Sequence, residues 1–328
     1  MSVVRCKMAY TCSYFLILIT VPFISGFPGH LKKLNNHPVI GILSQEFSVS
    51  MKNIYGDNFT SYIAASYVKH LEGAGARVVP IWINKTADYY EHIVLSLNGI
   101  LFPGGATWLE GTGYGEAGRI LYDLATSLNN NGDYFPLWGT CLGFELMTFL
   151  AADQDMRSNC SGMDVALPLS YKEGYLDSKL FGMAPDNILH LLASQNITSN
   201  FHMFCVTEKS FIEHGLDTQY KILAVSNDSD NKPFISVIEG KILPFYAVQF
   251  HPEKNSYEWN TKRHSIPHSA EATQVGQYFA EFFVNEARKS GHKFSSIEEE
   301  SSSLIYNYNK YYTGLKGIAF EECYFFNE

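Results

Sequence analysis

Positive charge is in short supply in this sequence: 24 Lys and Arg stand against 33 Asp and Glu, for a formal charge of -9. Neutralising a phosphate backbone takes many clustered cations, so a broad nucleic-acid-binding surface is excluded, while local basic pockets are not. Cysteine is sparse too, 6 in 328 residues, too few for a disulfide framework in a chain this long. Only 17% of residues are charged and 12 are proline, against 46% hydrophobic, a balance that rules out disordered, collagen-like and coiled-coil chains. The length suits two domains or one large α/β domain.

One apolar run stands out. Arg5 and Lys7 precede Tyr14 to Ile24, which ends at Ser25-Gly26. A spanning helix needs about 20 apolar residues; this run is shorter and contains Pro22, so residues 1–26 read as a signal peptide. No membrane span is expected in the rest. Five Asn-x-Ser/Thr sequons follow, at Asn58, Asn84, Asn159, Asn196 and Asn227, and together with the signal they predict a lumenal glycoprotein, lysosomal or extracellular. Cys6 and Cys12 leave with the signal. Cys141, Cys160, Cys205 and Cys323 remain, and if one is a required free thiol an odd number is left, which points to a reactive cysteine rather than a stapled fold.

Strand and helix patterns alternate along the chain. Val39–Leu43, Arg77–Ile83, Gly99–Phe102 and 134–139 read as apolar strands. Between them, 59–71, Asp88–Leu97 and Tyr114–Leu128 read as helices by their three- and four-residue apolar spacing. Fully apolar strands alternating with helices predict a three-layer α/β/α domain with a mostly parallel sheet. Strands over Tyr220–Ser226, Phe234–Glu239 and Phe245–Phe250 and a long helix over Ala270–Lys289 complete it. Residues 27–291 form the domain in this reading. Residues 292–303, rich in Ser and Glu, read as a solvated linker. Leu304–Glu328 carries Tyr306, Tyr308, Tyr311, Tyr312, Tyr324, Phe325 and Phe326, too aromatic to stay in water, so the extension 292–328 is expected to pack back on the domain.

Three strand ends carry chemistry. Gly139-Thr140-Cys141-Leu142-Gly143 places a thiol between glycines at a strand-to-helix junction, the pattern of a nucleophile elbow. A helix N-terminus there stabilises negative charge, and the Leu142 N–H points where an oxyanion forms. His251 comes off an apolar strand and is followed by Pro252 and Glu253, so that imidazole can take a thiol proton while Glu253 orients the ring. Leu101-Phe102-Pro103-Gly104-Gly105 ends a third strand, and the Gly105 amide can supply a second oxyanion donor. Each element alone has an ordinary structural explanation; jointly they compose an acyl-transfer site.

Through Phe102-Pro103-Gly104-Gly105, Gly139-Thr140-Cys141-Leu142-Gly143 and Phe250-His251-Pro252-Glu253, in that order, the chain resembles the class I glutamine amidotransferase-like superfamily. Within it, 62–69, 75–80, 98–105, 133–145, Asn200-Phe201-His202, 251–254 and 280–288 resemble the gamma-glutamyl hydrolase family, from about Pro38 to the tail. The resemblance implies a flavodoxin-like core, with Cys141 as nucleophile, His251 as acid/base and Glu253 as the orienting carboxylate. It makes the Gly105 and Leu142 amides oxyanion donors, His202 a second histidine needed for activity, and Glu145 a residue near substrate. It implies hydrolysis of γ-glutamyl bonds in folate and antifolate poly-γ-glutamates through a γ-glutamyl thioester, no metal or organic cofactor, and a homodimer. A thiol pKa lowered by neighbouring His⁺ and the helix terminus is expected to suit an acidic compartment. Two alternatives stay open: a glutaminase or peptidase on the same scaffold, and a non-catalytic folate- or pteridine-binding glycoprotein.

Overall fold

The computed structural model describes residues 34–327; the expected signal peptide lies outside them. A central sheet of eight strands runs in the order Arg77–Ile81, Val39–Leu43, Ile100–Phe102, Leu137–Thr140, Phe245–Val248, Pro233–Gly240, Tyr220–Asn227 and Ser170–Tyr171. The first five are parallel and the last three antiparallel. Strand side chains alternate between the faces. Ile40, Ile42, Leu101, Trp138, Tyr246 and Val248 pack under helices Ala65–Gly73 and Ala270–Ala287. Val39, Leu43, Phe102, Leu137, Phe245 and Ala247 pack under Ala87–Ser96, Gly113–Asn130 and Leu142–Ala152. Two cores, one on each face, make the three-layer α/β/α arrangement.

Several elements depart from the sequence reading. The helix expected over 59–71 is divided: Ser61–Ala64 is a strand, and the helix begins at Ala65. The cause is distant in sequence. Glu322–Phe326 pairs antiparallel with Ser61–Ala64, and Lys310–Tyr312 and Gln45–Glu46 complete a second four-stranded sheet. Phe325 stands among Phe47, Tyr55, Phe59 and Tyr311, with ring centroids 4.8–5.2 Å away. The stretch read as a linker contains helix Ile297–Ser303, whose N-cap Ser296 accepts from the Glu299 amide. Glu299 pairs with His92, and Glu300 with Arg77, so its charges meet partners rather than solvent alone.

A third sheet, Ser158–Leu167 with Thr198–Cys205, stands beside the strand ends. Ser158–Leu167 is mostly half-buried and Thr198–Cys205 mostly buried, and neither shows the clean alternation that reveals a strand in sequence. Cys160 and Cys205 are joined across it by a disulfide. One bridge is compatible with the expectation that the fold is not stapled, and it leaves Cys141 and Cys323, both free and buried.

Candidate active site

The site is assembled by strand adjacency. Ile100–Phe102, Leu137–Thr140 and Phe245–Val248 are neighbours in the parallel part of the sheet, with Phe102 opposite Gly139 and Val248 opposite Thr140. Parallel strands deliver their C-terminal ends to one edge, where α/β sheets keep their ligands. Gly104, Cys141 and His251, separated by up to 147 positions in sequence, therefore meet.

Cys141 sits at φ 52°, ψ -106°, a conformation that costs a side-chain-bearing residue about 1–3 kcal/mol. The tight elbow explains its glycines. A Cβ on Gly143 would lie 2.0 Å from the Phe102 carbonyl oxygen, and one on Gly139 2.6 Å from the Gly143 oxygen. The elbow is closed by the Cys141 N–H donating to the Val248 carbonyl at 2.9 Å. Leu142 opens helix Leu142–Ala152, and its N–H is directed at the Cys141 sulfur.

His251 is buried, with Nδ1 2.7 Å from Glu253 Oε1. Committing Nδ1–H to that carboxylate leaves the lone pair on Nε2. The Tyr67 hydroxyl lies 3.2 Å from the same Nδ1 and accepts from the Gly104 N–H at 2.9 Å. Gly104 packs between the two reactive side chains: a Cβ there would be 2.7 Å from His251 Cε1 and 3.1 Å from Cys141 Cβ. Gln45 Nε2 donates to the carbonyls of Pro103 and Gly104, both at 3.1 Å, and Tyr114 Oη donates to Pro103 at 2.9 Å. Tyr67, Gln45 and Tyr114 thus hold the glycine turn; none was singled out as a site residue from sequence, because nothing local distinguishes them from ordinary core residues.

Burial governs the protonation states. Burial pushes the Cys141 thiol well above its ordinary value, Glu145 and Glu253 push the same way, and Lys254 and the Leu142 N–H offset this only in part. Burial also lowers His251, outweighing the support of Glu253. Glu253 remains ionised: burial would raise it, but His251, Lys254 and His70 together bring it below the usual carboxylate range. The expected lowered thiol pKa is therefore reversed. Burial thus favours the neutral thiol and the neutral imidazole over an ion pair, because the pocket that excludes water also withdraws the solvation an ion pair needs.

Two chambers meet at this point. One, of about 200 Å³, is lined by Cys141, Leu142, Glu145, Arg157, His202 and Trp108 among others. The other, of about 250 Å³, is lined by His251, Tyr62, Lys254, Arg263, Ile318 and Phe320 among others. Gly105, Ala106, Met163 and Phe201 border both. Glu145 is buried and accepts from Arg157 Nη1 at 2.7 Å and from Gln249 Nε2 at 3.1 Å; Arg157 also pairs with Asp155. Burial raises the Glu145 carboxyl despite Arg157. His202 is held by the third sheet, its Nδ1 3.1 Å from the Phe204 oxygen and its Nε2 3.2 Å from Asn200 Oδ1. Burial, then the nearby His251, lowers its pKa to about 4. Its Nδ1 is also 3.4 Å from each sulfur of the Cys160–Cys205 disulfide. The seven residues Cys141, His251, Glu253, His202, Gly105, Leu142 and Glu145 thus gather at one sheet edge. The five sequon asparagines are dispersed and exposed.

The chain is similar to known proteins over most of its length. Gamma-glutamyl hydrolase of Homo sapiens is 42% identical over 291 residues, covering 88% of this chain and 90% of that protein. Gamma-glutamyl hydrolase B of Dictyostelium discoideum is 43% identical over 300 residues, covering 90% and 85%. Gamma-glutamyl hydrolase 1 of Arabidopsis thaliana is 34% identical over 94% of this chain and 91% of its own. Among solved structures, the glutaminase domain of Trypanosoma brucei CTPS with bound acivicin aligns with a TM-score of 0.49 at 13% identity, covering 79% of this chain and 97% of that one. A family model described as Peptidase C26 matches residues 38–253, a span that opens just before the first strand of the central sheet and closes on Glu253. With its elbow cysteine, imidazole and carboxylate all inside that match, the chain belongs to the Peptidase C26 family.

Proposed function

We propose that this protein hydrolyses γ-glutamyl peptide bonds, with folate and antifolate poly-γ-glutamates as substrates, through a thioester on Cys141. The observation that carries the reading is the placement of Cys141, at a strained elbow, across Gly104 from a histidine already tied to a carboxylate. Relatives named for that activity match most of the chain.

The neutral resting pair sets the order of events. As Cys141 Sγ attacks the γ-carbonyl carbon, His251 Nε2 takes the thiol proton, and Glu253 stabilises the imidazolium that forms. The carbonyl electrons move to oxygen, which rests on the N–H groups of Leu142 and Gly105. Collapse breaks the C–N bond while His251 returns the proton to the departing α-amine. Water then replaces the amine and attacks the thioester carbon while giving one proton to His251; collapse breaks the C–S bond, His251 returns that proton to the sulfur, and the new carboxyl leaves as the carboxylate, its proton going to solvent. His202 and the Glu145–Arg157 pair border the chamber on the Cys141 side, where they position the acyl glutamate.

Entry into the secretory route, towards lysosome or extracellular space, is part of the same proposal. The exposed sequons and the Cys160–Cys205 disulfide support it, since such bonds persist in oxidising compartments. A homodimer goes with it through the sequence resemblance. The test is incubation of purified protein with pteroyl-poly-γ-glutamate at acid pH beside a Cys141→Ala variant, with chain length followed by chromatography. Shortening by wild type alone is expected; no shortening by folded wild type refutes the reading.

A further inference from the structure

The chain carries excess negative charge, yet its proposed substrate is a polyanion. The larger of the two chambers resolves this conflict. Two cations, Lys254 and Arg263, line it, and no carboxylate does. Lys254 is only 5% exposed. Its ammonium lies 4.8 Å from the Phe320 ring centre and 5.2 Å from that of Phe201, while the Arg263 guanidinium lies 5.6 Å from Phe201. Neither forms an ion pair among the described residues; Glu253 and Glu258 feel the Lys254 charge, and Asp164 the Arg263 charge, only from beyond contact distance. A buried cation without a paired carboxylate is costly, and aromatic faces offset only part of that cost. Arg157, in the other chamber, is by contrast already held by Glu145 and Asp155.

The chemistry assigns a direction to the cleft. The acid must face the departing nitrogen, and His251 borders the Lys254 chamber but not the Cys141 chamber. The thioester carbon must bond to Cys141, and its oxygen must reach Leu142; both residues border only the other chamber. On the γ-glutamyl reading above, which this inference deepens, we propose that Lys254 and Arg263 are specificity-determining residues that bind the α-carboxylate of the departing glutamate. The acyl half of the substrate lies on the Glu145–Arg157 side. Cleavage is thereby restricted to amides whose leaving residue carries a carboxylate beside the nitrogen.

The test uses two substrates that differ by one charge, pteroyl-γ-glutamyl-glutamate and its analogue bearing an α-carboxamide on the leaving residue. Wild type is expected to prefer the acid by about tenfold to a hundredfold in kcat/KM, the range of one charge-assisted hydrogen bond, expressed chiefly in KM. Arg263→Gln and Lys254→Gln should each collapse that ratio, and Arg263→Lys should restore most of it. A ratio compares two substrates on the same enzyme, so general damage to the site does not move it. A wild type indifferent to the carboxamide, or variants that keep the preference, overturn the inference. A wild type that cleaves neither substrate overturns the γ-glutamyl reading itself.

Discussion

Substituting Gly104 by alanine tests the geometry of the site with one added carbon. The Gly104 φ is not in the left-handed region, and the added Cβ would meet His251 Cε1 at 2.7 Å, Tyr67 Oη at 2.6 Å and Cys141 Cβ at 3.1 Å. Carbon atoms at rest in a protein interior approach to about 3.5–4.0 Å, so His251 must retreat by roughly 1 Å. It has little room, being buried and tied to Glu253 at 2.7 Å. Overpacking of this kind costs about 1–3 kcal/mol of stability, and a displacement of about 1 Å in a reacting group lowers the rate by about a hundredfold. Gly291→Ala is the control, since no atom lies within 4 Å of its Cβ position and its backbone is unstrained for alanine. Thermal unfolding and kcat/KM on a γ-glutamyl substrate are measured for both. A folded G104A enzyme that keeps kcat/KM within about threefold of wild type refutes the argument that Gly104 sets the spacing of Cys141 and His251.

Three other outcomes follow from the packing and charge of the fold. Replacing Cys160 and Cys205 together by serine opens a bridge spanning 45 positions and is expected to lower stability by about 2–4 kcal/mol; identical urea midpoints for oxidised wild type and the variant would contradict this. Phe325→Ala removes the ring that four other aromatics contact and should cost about 3–5 kcal/mol, read as a fall in urea midpoint, whereas an unchanged midpoint would mean that the tail sheet unfolds independently. His202, with its folded pKa lowered to about 4 by burial, contributes stability that is intact above its unfolded value of about 6.5 and is progressively lost as pH falls from there towards 4, at about 1.4 kcal/mol per pH unit. The stability difference between wild type and His202→Gln should shift by that slope across the window; parallel stability curves would show that His202 does not stay neutral.

How much of this was legible beforehand depends on how far apart the interacting residues lie. The nucleophile elbow, the histidine strand end and the glycine pair are local patterns, and apolar strands alternating with helices are enough to predict a parallel sheet that brings strand ends to one edge. Tyr67 was invisible as a site residue because its role depends on Gly104 and His251, 37 and 184 positions away. Ser61–Ala64 carries a helical spacing of apolar residues, yet the hydrogen bonds offered by Glu322–Phe326 overrode that local preference. Helix Ile297–Ser303 was hidden for the opposite reason: its composition is that of a linker, and its order comes from an N-cap and from pairing with His92 and Arg77.

By itself, then, the sequence determined the layer order and named a candidate thiol, imidazole and carboxylate at three strand ends, because each is encoded in a few consecutive residues. Only the tertiary structure decided which cysteines pair and which cations remain uncommitted. It also decided whether the thiol rests protonated, since desolvation at Cys141 and His251 is a property of everything packed around them, and no short stretch of sequence carries it.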